Sequence, residues 1–377
     1  MPTRIAVPTE ITKGERRVAM VPDVTAKVAA LGAEILVQRG AGKAMHVPDE
    51  AYGDVTFVDD AVDLYGQADV VLKVQPPTLE EIDQIPEGAI IIGFMAAHNR
   101  LEEVRRLRDR RITAFSVELI PRITRAQAMD ALSSQASCSG YKCALMAATM
   151  LDRFFPMLTT AAGTIRPAKV LVVGAGVAGL QAIATARRLG AQVEAYDVRP
   201  AAKEQVQSLG AKFVELDVQA EAEGGYAREL TDEEREQQQQ MLADHVAKAD
   251  AVITTAAVPG RRAPQIISKA MVEGMKAGAV VIDLAAETGG NCEVTEAGQT
   301  VEYRNAIVHG PVNVPSMMAE HASEMYSKNL QNFLGLLIKE EKLELDWEDE
   351  ILAKSVVTHD GAIRHEPTRE LAEGENK

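Results

Sequence analysis

The chain has 377 residues, of which 46% are hydrophobic and 25% charged, and its formal net charge is −15. This length suits two domains better than a single core, and the composition is that of an ordinary globular protein. The acidic balance disfavours nucleic acid as a partner, and no run approaches the ~18–20 apolar residues that span a bilayer.

The segment Met1–Ile5 lacks the apolar core of a signal peptide, so a cytoplasmic chain is expected. Cys138, Cys143 and Cys292 cannot close a disulfide framework. A Cys-x4-Cys pair without nearby histidines is also a poor zinc site, and no metal is expected. Apolar runs alternate with amphipathic stretches throughout, which predicts parallel sheets covered by helices. Ile5–Val7, Ile35–Val37, Val70–Leu72, Ile90–Ile92 and Ile112–Phe115 read as buried strands. Helices are predicted over Val24–Leu31 and Leu101–Asp109, and Arg105, Arg106, Arg108, Arg110 and Arg111 read as a solvated helix surface. Ser139–Phe155, rich in Ala and Met, predicts a long helix joining two domains across a cleft.

A second strand series follows at Lys169–Val173, Gln192–Tyr196, Lys212–Leu216, Ala251–Thr255, Val280–Asp283 and Ala306–His309. Residues 218–240 form a polar insert: Gly224-Gly225 predicts a mobile flap, and Thr231 with Asp232 and Glu234 predicts a helix start. Met317–Leu337 has helical spacing, and Val356–Thr358 followed by Asp360-Gly361 predicts a hairpin. The last ten residues or so are expected to fray. The expected fold is α/β, with two Rossmann-like domains of parallel sheets flanked by helices and a nucleotide cleft between them. Residues 1–137 plus 325–377 form one domain in this reading, and residues 138–324 the other.

The sharpest motif is Gly174-Ala175-Gly176-Val177-Ala178-Gly179, placed after an apolar strand and before a helix. Gly174 permits a tight turn, Gly176 lets backbone approach a pyrophosphate, and Gly179 allows close helix–strand packing. Asp197 lies at the end of the next strand, 18 residues after Gly179, where a carboxylate accepts hydrogen bonds from an adenosine ribose. A 2′-phosphate there would meet like charge, so Asp197 favours NAD(H) over NADP(H). Arg199 pulls the other way, because an arginine just beyond the strand can hold that phosphate.

Further runs carry a resemblance. Glu118-Leu119-Ile120-Pro121-Arg122-Ile123-Thr124-Arg125-Ala126-Gln127, continuing through Met129–Gln135, together with Gly174–Ala184, Ala201–Val206, Ile282–Glu287 and Asn313–Pro315, resemble domain I of the proton-translocating nicotinamide nucleotide transhydrogenases. The similarity runs from about Arg4 to about Leu334. It implies NADH binding here and direct hydride transfer to NADP⁺ held on a separate NADP(H)-binding subunit. It also implies a membrane proton-channel subunit, a homodimer, and a peripheral position on the inner face of the cell membrane. In this resemblance Arg122, Gln127, Asp130 and Ser133 hold and orient the nicotinamide and its ribose. Val177, Ala178, Val198, Gln205, Thr255, Ala256 and Leu284 join the glycines, Asp197 and Arg199 around the nucleotide, and Tyr226 closes over it. The residues themselves also permit a plainer reading of Arg122–Ser133, as a capped helix start. Only one dinucleotide fingerprint exists in the chain, so a second nucleotide must come from a partner.

Alanine dehydrogenases share this two-domain plan and form the competing reading. Arg17 and Lys73 match the residues that hold substrate carboxylate and carbonyl there, although shared ancestry, an ion pair or another anion explains them equally well. The place of that family's catalytic histidine falls on Ala96, with His98 two residues later, and its active-site aspartate corresponds to Glu287. Oxidative deamination needs a proton acceptor, and the expected one is absent. A nucleotide-sensing module without enzymatic activity is a third class that no specific residue supports.

Overall fold

The structure, a computed structural model, describes residues 2–215, 232–257 and 262–374. It divides into two units, residues 1–135 with 315–377, and residues 136–314. Both are α/β.

The first unit opens with strands β1 (Thr3–Val7), β2 (Ala33–Gln38), β3 (Thr56–Val58), β4 (Val70–Leu72), β5 (Ile90–Gly93) and β6 (Thr113–Ser116). They pair in parallel in the order β3-β2-β1-β4-β5-β6. β4 and β5 are buried along their whole length, which is why their sequences are continuous apolar runs. Helices α1 (Pro22–Ala29), α2 (Ala61–Gly66), α3 (Leu79–Gln84) and α4 (Leu101–Asp109) lie between the strands. Local chemistry starts them. Proline stands in the first turn of α1, the Asp60 side chain caps α2, and Thr78 and Glu81 form a capping box on α3. On α4, Arg106 grips Asp83 at 2.7 and 2.8 Å.

Helix α5 (Ala131–Met150) crosses the division between the units. It begins eight residues before the predicted Ser139, because Asp130 supplies a cap: its carboxylate accepts from the Ser133 N–H at 2.9 Å. It also ends short of Phe155.

The second unit carries an exposed hairpin, β7 (Leu158–Thr160) and β8 (Gly163–Ile165), ahead of its sheet. Strands β9 (Lys169–Val173), β10 (Gln192–Tyr196), β11 (Lys212–Phe213), β12 (Ala251–Thr254), β13 (Ala279–Asp283), β14 (Thr300–Tyr303) and β15 (Ala306–His309) build the sheet in the order β11-β10-β9-β12-β13-β15-β14. Only β14 is antiparallel. Helices α6 (Val177–Arg188), α7 (Ala202–Ser208), α8 (Asp232–Lys248) and α9 (Lys269–Glu273) connect the strands. In both units the strand order reverses beside the first strand, which is the doubly wound pattern whose switch point receives ligands.

The chain returns to the first unit at Pro315 rather than at residue 325. Helix α10 (Ala319–Leu337) belongs there as a whole, since Tyr326, Leu330 and Phe333 are buried in that unit's core. Three serines along the return fix the segment after β1: Ser316, Ser323 and Ser327 accept from the backbone N–H groups of Arg16, Val18 and Val21 at 2.7, 3.0 and 2.9 Å. A ribbon of β16 (Ile338–Lys339) and β17 (Lys342–Leu343) leads to α11 (Glu350–Ser355). The predicted hairpin forms as β18 (Val356–His359) and β19 (Ala362–Ile363), and β18 extends the first sheet antiparallel to β6. Of the end expected to fray, the described part is helix α12 (Glu366–Gly374), which buries Thr368 and Ala372, while residues 375–377 lie outside the described residues. Arg105 of α4 donates to the Ala372 carbonyl at 2.9 Å, so this arginine docks a helix that its own sequence context does not reveal. No helix among the described residues is long and apolar enough to cross a membrane.

Candidate functional site

At the switch point of the second sheet the chain leaves β9 through the glycine turn. Gly174 has φ +95°, and a side chain there would also press on Thr255 Oγ1 at 2.9 Å. A Cβ on Gly179 would fall 1.8 Å from the Gly174 carbonyl oxygen, so α6 starts hard against the turn. Gly176 differs: a Cβ there meets nothing within 4 Å. It is the N-cap of α6, and no side chain caps the helix. The first N–H groups of a twelve-residue helix, with Val177 exposed and Ala178 half-buried, therefore border open space. That arrangement fits a bound phosphate.

Thr255 and Ala256 stand across the switch point. The Thr255 N–H donates to the Val173 carbonyl at 2.8 Å, and its hydroxyl to the Gly174 carbonyl at 3.0 Å. Its hydroxyl thus fixes the turn. Leu284 is half-buried, with its N–H on the Thr254 carbonyl. Asp197 is engaged on both oxygens: Oδ1 accepts from the Arg199 backbone N–H and Nε at 2.8 and 2.9 Å, and Oδ2 from the Ala175 N–H and Arg199 Nη2 at 2.7 and 3.0 Å. Burial pushes this carboxyl up, but Arg199 and the two backbone N–H groups outweigh it and hold it below the usual range. Val198 and Gln205 are exposed. Tyr226 lies outside the described residues.

In the first unit the predicted nicotinamide loop is a 3-10 turn, Thr124–Met129. Arg122 and Gln127 are exposed and make no side-chain hydrogen bond among the described residues. Asp130 and Ser133 are instead joined to each other, hydroxyl to carboxylate at 2.6 Å, at the capped start of α5. Arg125 anchors the loop by gripping Asp349 at 2.7 and 2.9 Å.

The switch point of the first sheet holds a buried charged cluster. Lys73 is fully buried, 2.5 Å from Glu81 and 3.3 Å from Glu10. Arg17 grips Glu15 at 2.7 and 2.9 Å and donates to Gln135 at 2.8 Å. The two cations left open by the sequence are thus both paired with carboxylates of their own unit. Glu118 accepts from the N–H groups of Met95 and Ala96 at 2.9 and 2.8 Å, shaping the turn where Ala96 stands, and His98 is exposed. Glu287 is exposed and accepts from the Asn313 N–H at 3.1 Å.

Two positions escaped sequence reasoning. Gly140 of α5 packs on the start of α6, where a Cβ would lie 2.0 Å from the Ala178 carbonyl oxygen; a glycine inside an Ala-rich helix was its only signal. Asn291, fully buried, holds Ala256, and its placement between a Gly-Gly pair and Cys292 gives little warning. The three cysteines are buried and form no disulfide among the described residues, and burial pushes Cys143 up to about 12.

Residues 6–139 match the family model for the alanine dehydrogenase/PNT N-terminal domain, and residues 143–366 that for the C-terminal domain. The chain is 46% identical over 375 residues to an NAD(P) transhydrogenase subunit alpha polypeptide of Rhodospirillum rubrum, covering 96% of this chain and 98% of that one. The solved transhydrogenase of Sinorhizobium meliloti superposes with a TM-score of 0.84 at 42% identity, over 96% of this chain and 99% of that one. Alanine dehydrogenase of Mycobacterium tuberculosis is 27% identical over 375 residues, 96% of this chain and 95% of that one. With both domain models matched in order and the higher identities falling on one side of the family, the chain belongs to the NAD(P) transhydrogenase alpha subunits.

Proposed function

We propose that the chain is the NAD(H)-binding component of a proton-translocating transhydrogenase, active only with its partner subunits. When bound, the dinucleotide supplies or accepts a hydride, exchanged directly with NADP(H) on the partner's domain. The observation that carries this reading is the uncapped start of α6 beside open Gly176, at the switch point of the second sheet.

The chain's own residues bind and orient. Backbone N–H groups of Gly176, Val177 and Ala178 hold the diphosphate. Asp197 accepts the ribose hydroxyls once the Arg199 fork swings aside, and its charge repels a 2′-phosphate. Val198, Gln205, Thr255, Ala256 and Leu284 line the adenosine side and its approach. Arg122 and Gln127, whose side chains are exposed and make no hydrogen bond among the described residues, orient the nicotinamide amide, with Asp130 and Ser133 fixing the ribose. Hydride transfer between rings needs orientation and dryness rather than a protein acid or base.

The proposed assembly is a homodimer docked on a membrane proton channel at the inner face of the cell membrane. The exposed arm of β7 and β8 and the segment leading into it support a second copy as partner, because they present Phe154, Met157 and Ile165 at 53%, 64% and 46% exposure.

The test mixes purified chain with NADH, the NADP(H)-binding domain and NADP⁺, and separately with NAD⁺ and L-alanine. NADPH formation in the first mixture alone is the expected result. Alanine turnover by the chain alone overturns the reading.

A further inference from the structure

We propose that Asn291 is a positioning residue for the dinucleotide: it holds the segment after β12 against the glycine turn without touching the ligand. The inference rests on the dinucleotide reading of that turn.

The backbone ladder between β9 and β12 continues one residue past β12, to the bond from the Thr255 N–H to Val173. Ala256, the next residue, has neither of its backbone groups on another backbone group among the described residues. Asn291 supplies both partners. Its Oδ1 accepts from the Ala256 N–H at 3.0 Å, and its Nδ2 donates to the Ala256 carbonyl at 2.7 Å. The second Nδ2 hydrogen reaches the Pro264 carbonyl at 2.8 Å. One side-chain amide thus acts as a short piece of strand, and only a group with donor and acceptor in one plane can do so.

What this holds is the crest of the site. Thr255 hydrogen-bonds the Gly174 carbonyl, and a Cβ on Gly174 would lie 3.0 Å from the Ala256 nitrogen. The position of Ala256 therefore sets the turn that leads into α6. Asn291 is itself fixed from behind. Its carbonyl accepts from the N–H groups of Ile266 and Ile267 at 2.8 and 2.9 Å, and fully buried Asp283 accepts from the following Cys292 N–H at 2.9 Å. The same carboxylate takes the Thr254 hydroxyl at 2.8 Å, tying the end of β12 to the loop that carries Asn291.

The experiment compares wild type with Asn291→Ala, Asn291→Asp and a packing control, Val281→Ala, which removes buried bulk from β13 and none of the clamp's hydrogen bonds. NADH affinity is titrated on the isolated chain, with Tm and hydrogen exchange of the Ala256 amide measured alongside. Asn291→Ala and Asn291→Asp are expected to weaken NADH binding about tenfold, the worth of a lost buried hydrogen bond. Val281→Ala should bind within about twofold of wild type despite its lower Tm, because it leaves those bonds in place. Exchange at Ala256 should accelerate in the Asn291 variants alone. If wild type binds NADH but Asn291→Ala loses no more affinity than the control, the inference falls by itself. If wild type does not bind NADH, the dinucleotide reading falls with it.

Discussion

Glu15 and Glu10 are neighbours in one buried cluster, yet their carboxyls move in opposite directions. Burial pushes Glu15 up, but its bidentate bond to Arg17 overrides this and carries it down to about 2. Glu10 has only Lys73 and the Val74 N–H against the same burial, and it ends above the usual range. The signs then separate. Glu15 contributes stability that is complete above its unfolded value of 4.5 and lost as pH falls from there through about 2. Glu10 keeps its proton in the folded chain where the unfolded chain has released it, so its contribution fades as pH rises above 4.5. Glu10→Gln imitates the protonated form. Calorimetry at pH 8 should therefore find its Tm at or above that of wild type, with a shallower decline on the alkaline side. A loss of several degrees would mean that the ionised pair with Lys73 governs the site.

Elements were legible where a local rule decides them. Buried parallel strands announce themselves as apolar runs, and the glycine turn does so because its spacing serves one short stretch of chain. What stayed hidden depends on partners far along the sequence. Nothing near Asn291 names Ala256, nothing near Gly140 names Ala178, and α12 is held by arginines of α4 that read as solvated surface. The place of Asp197 at the end of its strand was legible, whereas its capture by Arg199 was not. The packing of α5 on α6 can be tested through Gly140. Helix propensity alone makes Gly→Ala favourable by about 1 kcal/mol in a helix interior. Here the added Cβ would stand 2.0 Å from a backbone carbonyl oxygen, and overpacking of that kind costs about 1–3 kcal/mol. Gly140→Ala should therefore lower stability in urea, reversing the propensity sign, and it should weaken NADH binding because the carbonyl it displaces belongs to the first turn of α6. Unchanged or increased stability would show that the two helices yield freely.

At the scale of the whole molecule, a chain that binds NADH in its folded form alone gains stability by mass action, about 2.7 kcal/mol at a hundredfold excess over Kd. Differential scanning calorimetry should show Tm rising with NADH and standing still with L-alanine. The converse pattern would move the chain toward the dehydrogenase side of its family. The discontinuity of the first unit has a further consequence, for the order of events at the ribosome. Synthesis proceeds at about 5–20 residues per second and folding follows domain by domain. The second unit, residues 136–314, is contiguous and can close as soon as it emerges. The first unit is begun earlier but lacks Tyr326, Leu330 and Phe333 from its core, and β18 from its sheet edge, until residues 319–359 have followed the second unit out. The half translated first is the half completed last. Throughout that interval β6 is an open edge, exposed to whatever holds nascent chains apart.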